Sequence, residues 1–246
     1  MEVRLMSPGR APFAALDDIL IRARHLLIDF DGPICSLFAG TPTAPIADRL
    51  REVVRQQGVH LPQAIEDTGN WFEIFSFAAA VSTDLAARVE SELTELECAA
   101  VATAVPTPHV NDVISACRDS ARSVAVISNN SEKAVRACLA AHDLDSQIDL
   151  IAARTSCDPA ILKPSPYLID QAVTKLGTSA SACIVVGDSL ADIESAQRSG
   201  ALSIGYARTS NDRERLTTAG AGTIILSMAD LALRLRARVR DPGVLD

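Results

Sequence analysis

Leu26-Leu27-Ile28-Asp29-Phe30-Asp31-Gly32 is the stretch on which the fold turns. Three consecutive aliphatic residues with no polar break read as a short strand buried on both faces, as at the centre of a parallel sheet. Two carboxylates two residues apart stand at its end. In extended backbone, residues i and i+2 point the same way, so Asp29 and Asp31 face one space, where one can attack while the other transfers protons. The same letters also read as a strand running into an Asp-Gly turn. The segment alone does not separate the two readings.

Working outward, similar apolar runs recur at Val124–Ile127, Leu150–Ala152, Cys183–Val186, Leu202–Gly205 and Thr223–Leu226. Between them, Ser131–Ala141, Pro166–Leu176, Leu190–Ser199 and Met228–Ala237 carry apolar residues at helical spacing, with Gly177 and Gly200 as C-terminal stops. Strands alternating with helices predict an α/β fold, a doubly wound Rossmann-like parallel sheet covered on both faces. The interval from about Gly40 to Val105 is longer than one crossover needs. It holds amphipathic patterns over Ile46–Gln57 and Asp84–Ala102, separated by Trp71-Phe72-Glu73-Ile74-Phe75, and a compact domain does not tolerate so long a structureless loop. An all-helical inserted domain over 40–105 is therefore expected, with the α/β core made of 1–39 and 106–246. Pro-rich borders, Thr41-Pro42-Thr43-Ala44-Pro45 and Val105-Pro106-Thr107-Pro108, mark its ends.

The chain has 246 residues, 48% of them hydrophobic but only 4% aromatic, so its core must be built from Ala, Val, Ile and Leu. A formal net charge of -8 disfavours nucleic acid as a partner. It leaves room for a small phosphorylated substrate, because a bound cation inverts the field inside a pocket. Cys35, Cys98, Cys117, Cys138, Cys157 and Cys183 form no Cys-x-x-Cys pair and show no companion His at zinc spacing, so they read as reduced thiols of a cytoplasmic protein. Pro8, Pro12, Asp17 and Asp18 interrupt every apolar stretch near the N-terminus, and no segment reaches the length of a membrane span.

Three expected strands end in groups that a phosphate or metal site can use: Asp29 after Ile28, Ser128 after Ile127, and Gly187-Asp188 after Val186. Ligands of open parallel sheets bind outside the carboxyl ends of the strands, so these residues can converge. Each has a plainer reading on its own. Ser128 fits a helix cap, Lys163 before Pro164 a solvated loop cation, and Asp188 and Asp192 acids that complement a helix dipole.

Taken in order, Asp29-Phe30-Asp31-Gly32, Ser128-Asn129, Lys163-Pro164 and Gly187-Asp188-Ser189 with Asp192 resemble the motifs of the haloacid dehalogenase superfamily of phosphohydrolases and phosphotransferases. The interval 40–105 falls where many of its members carry a helical cap. The resemblance implies a phosphatase of small phosphate monoesters that works through an aspartyl-phosphate. Asp29 is then the nucleophile, Asp31 the general acid and base, and Lys163 the cation that balances the nucleophile and the transferring group. Ser128 is implied as a donor to a phosphoryl oxygen, together with main-chain N–H groups of Phe30-Asp31-Gly32 and Asn129. Mg2+ is the implied cofactor, held by Asp29, the main-chain carbonyl of Asp31, and Asp188, with Asp192 behind them as a positioning group.

Asp31 separates this reading from the dehalogenases, which lack the second carboxylate. A phosphonatase-like Schiff base is disfavoured because 40–105 contains no Lys. Pro33 departs from the Thr or Val common in related phosphatases at that position, without removing a group assigned to catalysis. A phosphomutase, with a sugar hydroxyl as acceptor, and a non-catalytic protein that kept the fold stay open as alternatives. The substrate and the oligomeric state are not legible. His25, His60, His109 and His142 share no spacing and read as surface or packing residues, while Arg49, Arg51 and Arg88 read as solvated helix charges. Trp71, Phe72 and Phe75 read as cap core, and Cys35 as a thiol near the site entrance.

Overall fold

The structure is a computed structural model that describes residues 14–40 and 44–239. The strands are β1 (His25–Asp29), β2 (Cys35–Ser36), β3 (Val105–Pro106), β4 (Ser123–Ser131), β5 (Leu150–Arg154), β6 (Cys183–Gly187), β7 (Leu202–Tyr206) and β8 (Thr223–Ile225). The α-helices are α1 (Ala14–Arg22), α2 (Ala44–Gln56), α3 (Gln63–Asp67), α4 (Trp71–Val81), α5 (Thr83–Ala100), α6 (Val110–Asp119), α7 (Glu132–Ala141), α8 (Tyr167–Lys175), α9 (Leu190–Ser199), α10 (Ser210–Thr218) and α11 (Met228–Val239).

Six strands form one sheet in the order β5-β4-β1-β6-β7-β8, with every pairing parallel. The chain moves outward from β1 through β4 to β5, then returns to β6 on the other side of β1. That reversal opens a crevice at the carboxyl ends of β4, β1 and β6. Alternation along each strand feeds two cores. Leu26, Ile28, Val124, Val126, Ile184 and Val186 join α1, α6, α7 and α11 on one face. Leu27, Ala125, Ile127 and Val185 join α8 and α9 on the other. The expected doubly wound α/β architecture is present, and small Ala, Val and Ile residues let helices approach the sheet on both sides.

Helix ends follow local chemistry. Ser189 and Asp192 form a reciprocal capping box at the start of α9, and Gly200 closes it in the left-handed region at φ 80. Ser131 caps α7 by accepting from the Ala134 N–H at 3.3 Å.

Helices α2 to α5 follow one another between β2 and β3 and pack an apolar cluster around Leu50, Val54, Ile74, Phe75, Val89 and Leu93, which Leu162 from the segment before α8 also joins. The two-residue antiparallel pair β2/β3 joins the outgoing and returning chain. Of the first Pro-rich border, Thr41-Pro42-Thr43 lies outside the described residues. Phe75 is fully buried, with Trp71 and Phe72 packed against the same cluster. Arg51 departs from the expectation of a solvated charge: it is 6% exposed, donating from Nε to the Ile65 carbonyl at 2.8 Å and from Nη1 to Asp48 at 2.7 Å. A further Nη2 bond reaches the Thr68 carbonyl. The ends of α3 leave carbonyls facing inward, and the guanidinium fork satisfies them.

Candidate active site

Asp29 is the last residue of β1 and shares its parity with Leu27, so its side chain emerges on the α8/α9 face, where Lys163 and Asp192 arrive from other segments. Lys163 Nζ donates to Asp29 Oδ1 and Asp192 Oδ1, both at 2.6 Å, and to the Ile127 carbonyl at 3.2 Å. The ammonium is thus fully spent on three fixed acceptors in a buried position. Asp192 is completely buried; its Oδ2 accepts from the Ser189 N–H at 3.0 Å and Ser189 Oγ at 2.6 Å. Both of its oxygens are committed, so this carboxylate positions Lys163 and caps its own helix at once.

Asp29 Oδ1 also accepts the Phe30 N–H at 2.8 Å. Among the described residues, Oδ2 accepts none, which leaves one defined oxygen facing the crevice. Asp31 is half-buried, with Oδ1 taking the Leu37 N–H at 3.0 Å. Asp188 follows β6, and its Oδ2 accepts from Arg208 Nη2 at 2.9 Å. Gly32, at φ +113, has no side chain for a steric reason: a Cβ there would run into the Asp188 carboxylate. The Gly32 carbonyl accepts a bond from Thr107 Oγ1 at 2.5 Å, across from β3.

The geometry bears on the groups expected to donate to phosphate. The Gly32 N–H is already given to the Cys35 carbonyl at 2.8 Å, and that of Phe30 to Asp29, because the chain after β1 folds into a tight turn that uses its own donors. Ser128 does not cap α7; it is buried, donating from Oγ to Asn130 Oδ1 and accepting the Asn130 N–H, both at 3.1 Å. Asn129 clasps the Lys163 main chain: Oδ1 accepts the Lys163 N–H at 2.8 Å and Nδ2 donates to its carbonyl at 3.0 Å. A motif expected to bind phosphate thus also fixes the loop that carries the lysine.

The charges are unequal. Burial pushes the Asp29 carboxyl well above the usual range, and the Asp192 and Asp188 charges add to it, while Lys163 pulls the other way. Burial raises Asp31 as well, against the Leu37 N–H. Asp188 is pushed up to about 6 by burial and by Asp192, with Arg208 opposing. Burial works against the Lys163 charge, yet Asp192 and Asp29 outweigh it and hold the ammonium above its ordinary value. Asp29, Asp188 and Asp192 each bring an oxygen within 4.8 Å of the others. A hard divalent cation fits these residues, since the donors are carboxylates and Asp29, Asp31, Asp188 and Asp192 outnumber Lys163 and Arg208.

Some residues around the site were not singled out in the sequence. Arg208 lies just past the end of β7, and Arg154 is the last residue of β5, so the strand-end rule that marks Asp29 and Asp188 also pointed to them. Arg154 is 1% exposed and pairs with Glu97 of α5 through Nη1 at 3.1 Å and Nη2 at 2.9 Å, while Nη1 donates to the Asn129 carbonyl at 2.8 Å. Glu97 in turn accepts from Asn130 Nδ2 at 3.2 Å and the Ser131 N–H at 2.8 Å. Cys35 is buried, 1% exposed, rather than placed at an entrance, because β2 turns its side chain into the main core. The thiols are free, as expected, but Cys35 and Cys138 do have a companion histidine, His142.

Residues 51–206 match the family described as haloacid dehalogenase-like hydrolase, well over half of the chain. The chain belongs to that family. No curated protein matches it significantly. Among solved structures, a predicted phosphatase from Clostridium acetobutylicum superposes with a TM-score of 0.65 at 16% identity, covering 87% of this chain and 98% of its own. CbbY from Rhodobacter sphaeroides, solved in complex with phosphate, gives 0.59 at 20% identity over 85% of this chain and 96% of its own. A predicted phosphoglycolate phosphatase from Haemophilus somnus gives 0.55 at 17% identity over 85% and 96%. These likenesses establish a shared fold. Among the described residues, no helix is long and apolar enough to cross a membrane.

Proposed function

We propose that this hydrolase is a magnesium-dependent phosphatase of a small phosphate monoester, with Asp29 as nucleophile. The observation that carries the reading is Lys163 Nζ held at 2.6 Å from both Asp29 Oδ1 and Asp192 Oδ1, which fixes one oxygen of Asp29 and leaves the other directed at the crevice. Asp29 Oδ2 attacks phosphorus; the P–O bond to the leaving group breaks as Asp31 gives its proton to the departing oxygen. Burial, which holds the Asp31 carboxyl up, suits it to carry that proton. Asp31 then takes a proton from water as the water oxygen attacks phosphorus, and the bond to Asp29 breaks to return the carboxylate. Lys163 balances charge on Asp29 throughout, and Ser128 Oγ, turning from Asn130, together with the Asn129 N–H, supports a phosphoryl oxygen. Asp29, the Asp31 carbonyl and Asp188 are the residues that would hold Mg2+, whose charge when bound offsets that of the phosphate and the carboxylates.

Helices α2 to α5, from the 40–105 interval, are the cap in this reading, closing over the crevice to exclude bulk water. The apolar cluster that they mainly build, which Leu162 also joins, and the narrow β2/β3 connection support that division from 1–39 and 106–246. The names of the phosphatase neighbours and the phosphate bound in one of them support the choice of substrate class. The test is phosphate release from an aryl phosphate and a set of metabolite phosphates, with and without Mg2+, for wild type and Asp29→Asn. Metal-dependent turnover lost in the variant is expected; turnover retained by Asp29→Asn would overturn the assignment of the nucleophile.

A further inference from the structure

Behind the turn that follows the two catalytic carboxylates, Cys35 and Cys138 bring their sulfurs to 3.3 Å. Cys35 sits on β2, locked to that turn by its N–H on the Phe30 carbonyl at 2.9 Å and its carbonyl on the Gly32 N–H at 2.8 Å. Cys138 lies in α7, and His142, one helical turn later at its C-terminal end, falls on the same side. A donor atom from each of the three lies within 4.8 Å of the others. Both thiols are buried, and His142 Nε2 is buried without a hydrogen-bond partner among the described residues. An orphaned imidazole nitrogen beside two paired thiols is a donor set in search of an acceptor ion.

The geometry points to a second metal site in this protein, formed by Cys35, Cys138 and His142 and selective for a soft divalent cation of the zinc class. Two sulfurs exclude Mg2+ and Ca2+, which take oxygen. Charge chooses among the soft metals. Two thiolates, one neutral imidazole and a divalent ion sum to zero, which suits thiols buried in the main core with the Asp31 carboxylate near; a monovalent ion would leave a further negative charge buried there. Distance agrees, since tetrahedral coordination at about 2.3 Å per sulfur places the sulfurs about 3.8 Å apart, a small opening of the present pair. A disulfide would have to draw them in to about 2.05 Å, a larger motion within a packed core. The C-terminal end of α7, where His142 stands, favours a cation. Binding releases the two thiol protons to solvent as the metal–sulfur bonds form. The ion would pin the turn that carries Asp31 to α7, joining residues 103 apart in sequence.

The test is titration of the reduced, chelator-treated full chain with Co2+ under anaerobic conditions, followed by displacement with Zn2+. A thiolate-to-cobalt charge-transfer band that saturates at one equivalent, with proton release, is expected. The band should be lost in Cys138→Ser and the affinity lowered at least about tenfold in His142→Ala, whose half-buried position spares the core. Asp188→Asn should leave the band intact, which separates this site from the carboxylate cluster. Absence of the band in wild type, its persistence in Cys138→Ser, or its loss in Asp188→Asn would overturn the proposal.

Discussion

Two buried cations, one ending a strand and one on a loop reaching the ends of β1 and β4, are treated oppositely. Arg154, at the end of β5, meets Glu97 with both ends of its fork, reaches Glu90 with Nε at 3.1 Å and Thr94 with Nη2 at 3.2 Å, and caps the Asn129 carbonyl. Its positive charge is matched and its donors are filled, so the cluster has nothing left to offer a ligand. Lys163, beside β1, is also saturated, as is Asp192, but among the described residues Asp29 keeps an unpaired oxygen, and nearby Asp188 is held only by Arg208 from a half-exposed position. A closed network fixes backbone, here the Ser128–Ser131 segment. An open one leaves a carboxylate oxygen uncommitted, the feature on which the proposed function rests.

Removing Asp29, the proposed nucleophile, tests the open side most severely. Asp29→Asn should lower turnover by roughly 10⁴-fold or more while leaving the fold intact, checked by steady-state phosphate release and circular dichroism. On the closed side, Arg154→Met strands Glu97, which is 0% exposed in its side chain, and should destabilise by about 3–5 kcal/mol in a denaturant titration. Adding Glu97→Gln to it should restore a large part of that loss. If Arg154→Met alone were neutral, the two clusters would not differ in the way their geometry implies.

A third measurement sharpens the electrostatic contrast. The folded-state value of Asp188 is raised to about 6, above its ordinary 3.8, so the native state binds this proton more tightly than the unfolded chain. The stability that Asp188 contributes to the metal-free protein therefore falls as pH rises from about 4 to about 6. Asp188→Asn should remove that fall, its advantage over wild type growing through the window to on the order of 2–3 kcal/mol and then levelling. Thermal melts in chelator from pH 4 to pH 8 read this difference, and a constant offset between the two proteins would refute it. The smallest effect belongs to the surface: Arg49 pairs with Glu92 at 2.6 Å between α2 and α5 with half its side chain exposed, and Arg49→Ala should leave the melting temperature within experimental error.

How much was legible follows the range of each signal. The six sheet strands could be read because a strand buried on both faces announces itself as a short apolar run, and α7, α8, α9 and α11 because an apolar stripe has a helical period. Helix α4 showed no such stripe, being apolar around most of its circumference, and α10, Ser-Asn-Asp-Arg-Glu-Arg-Leu-Thr-Thr, buries only Leu216. The pairs β2/β3 are too short to carry a pattern. Arg51 read as solvated because the carbonyls it satisfies lie 14 and 17 residues away. Cys138 and His142 stand i, i+4 on α7 but read as unrelated, because the residue that gives the pair meaning, Cys35, is 103 positions from Cys138.

The sequence by itself determined the sheet, its covering helices, and which ends of which strands carry carboxylates, because backbone periodicity and strand-end placement are local properties of the chain. Only the tertiary structure decided that Lys163 bridges Asp29 and Asp192, that Arg154 closes on Glu97, and that two thiols and a histidine meet beside the turn after β1. Those outcomes depend on distances between residues far apart in the chain, and pairing energies of buried charges and soft donors exist only once packing has excluded water from between them.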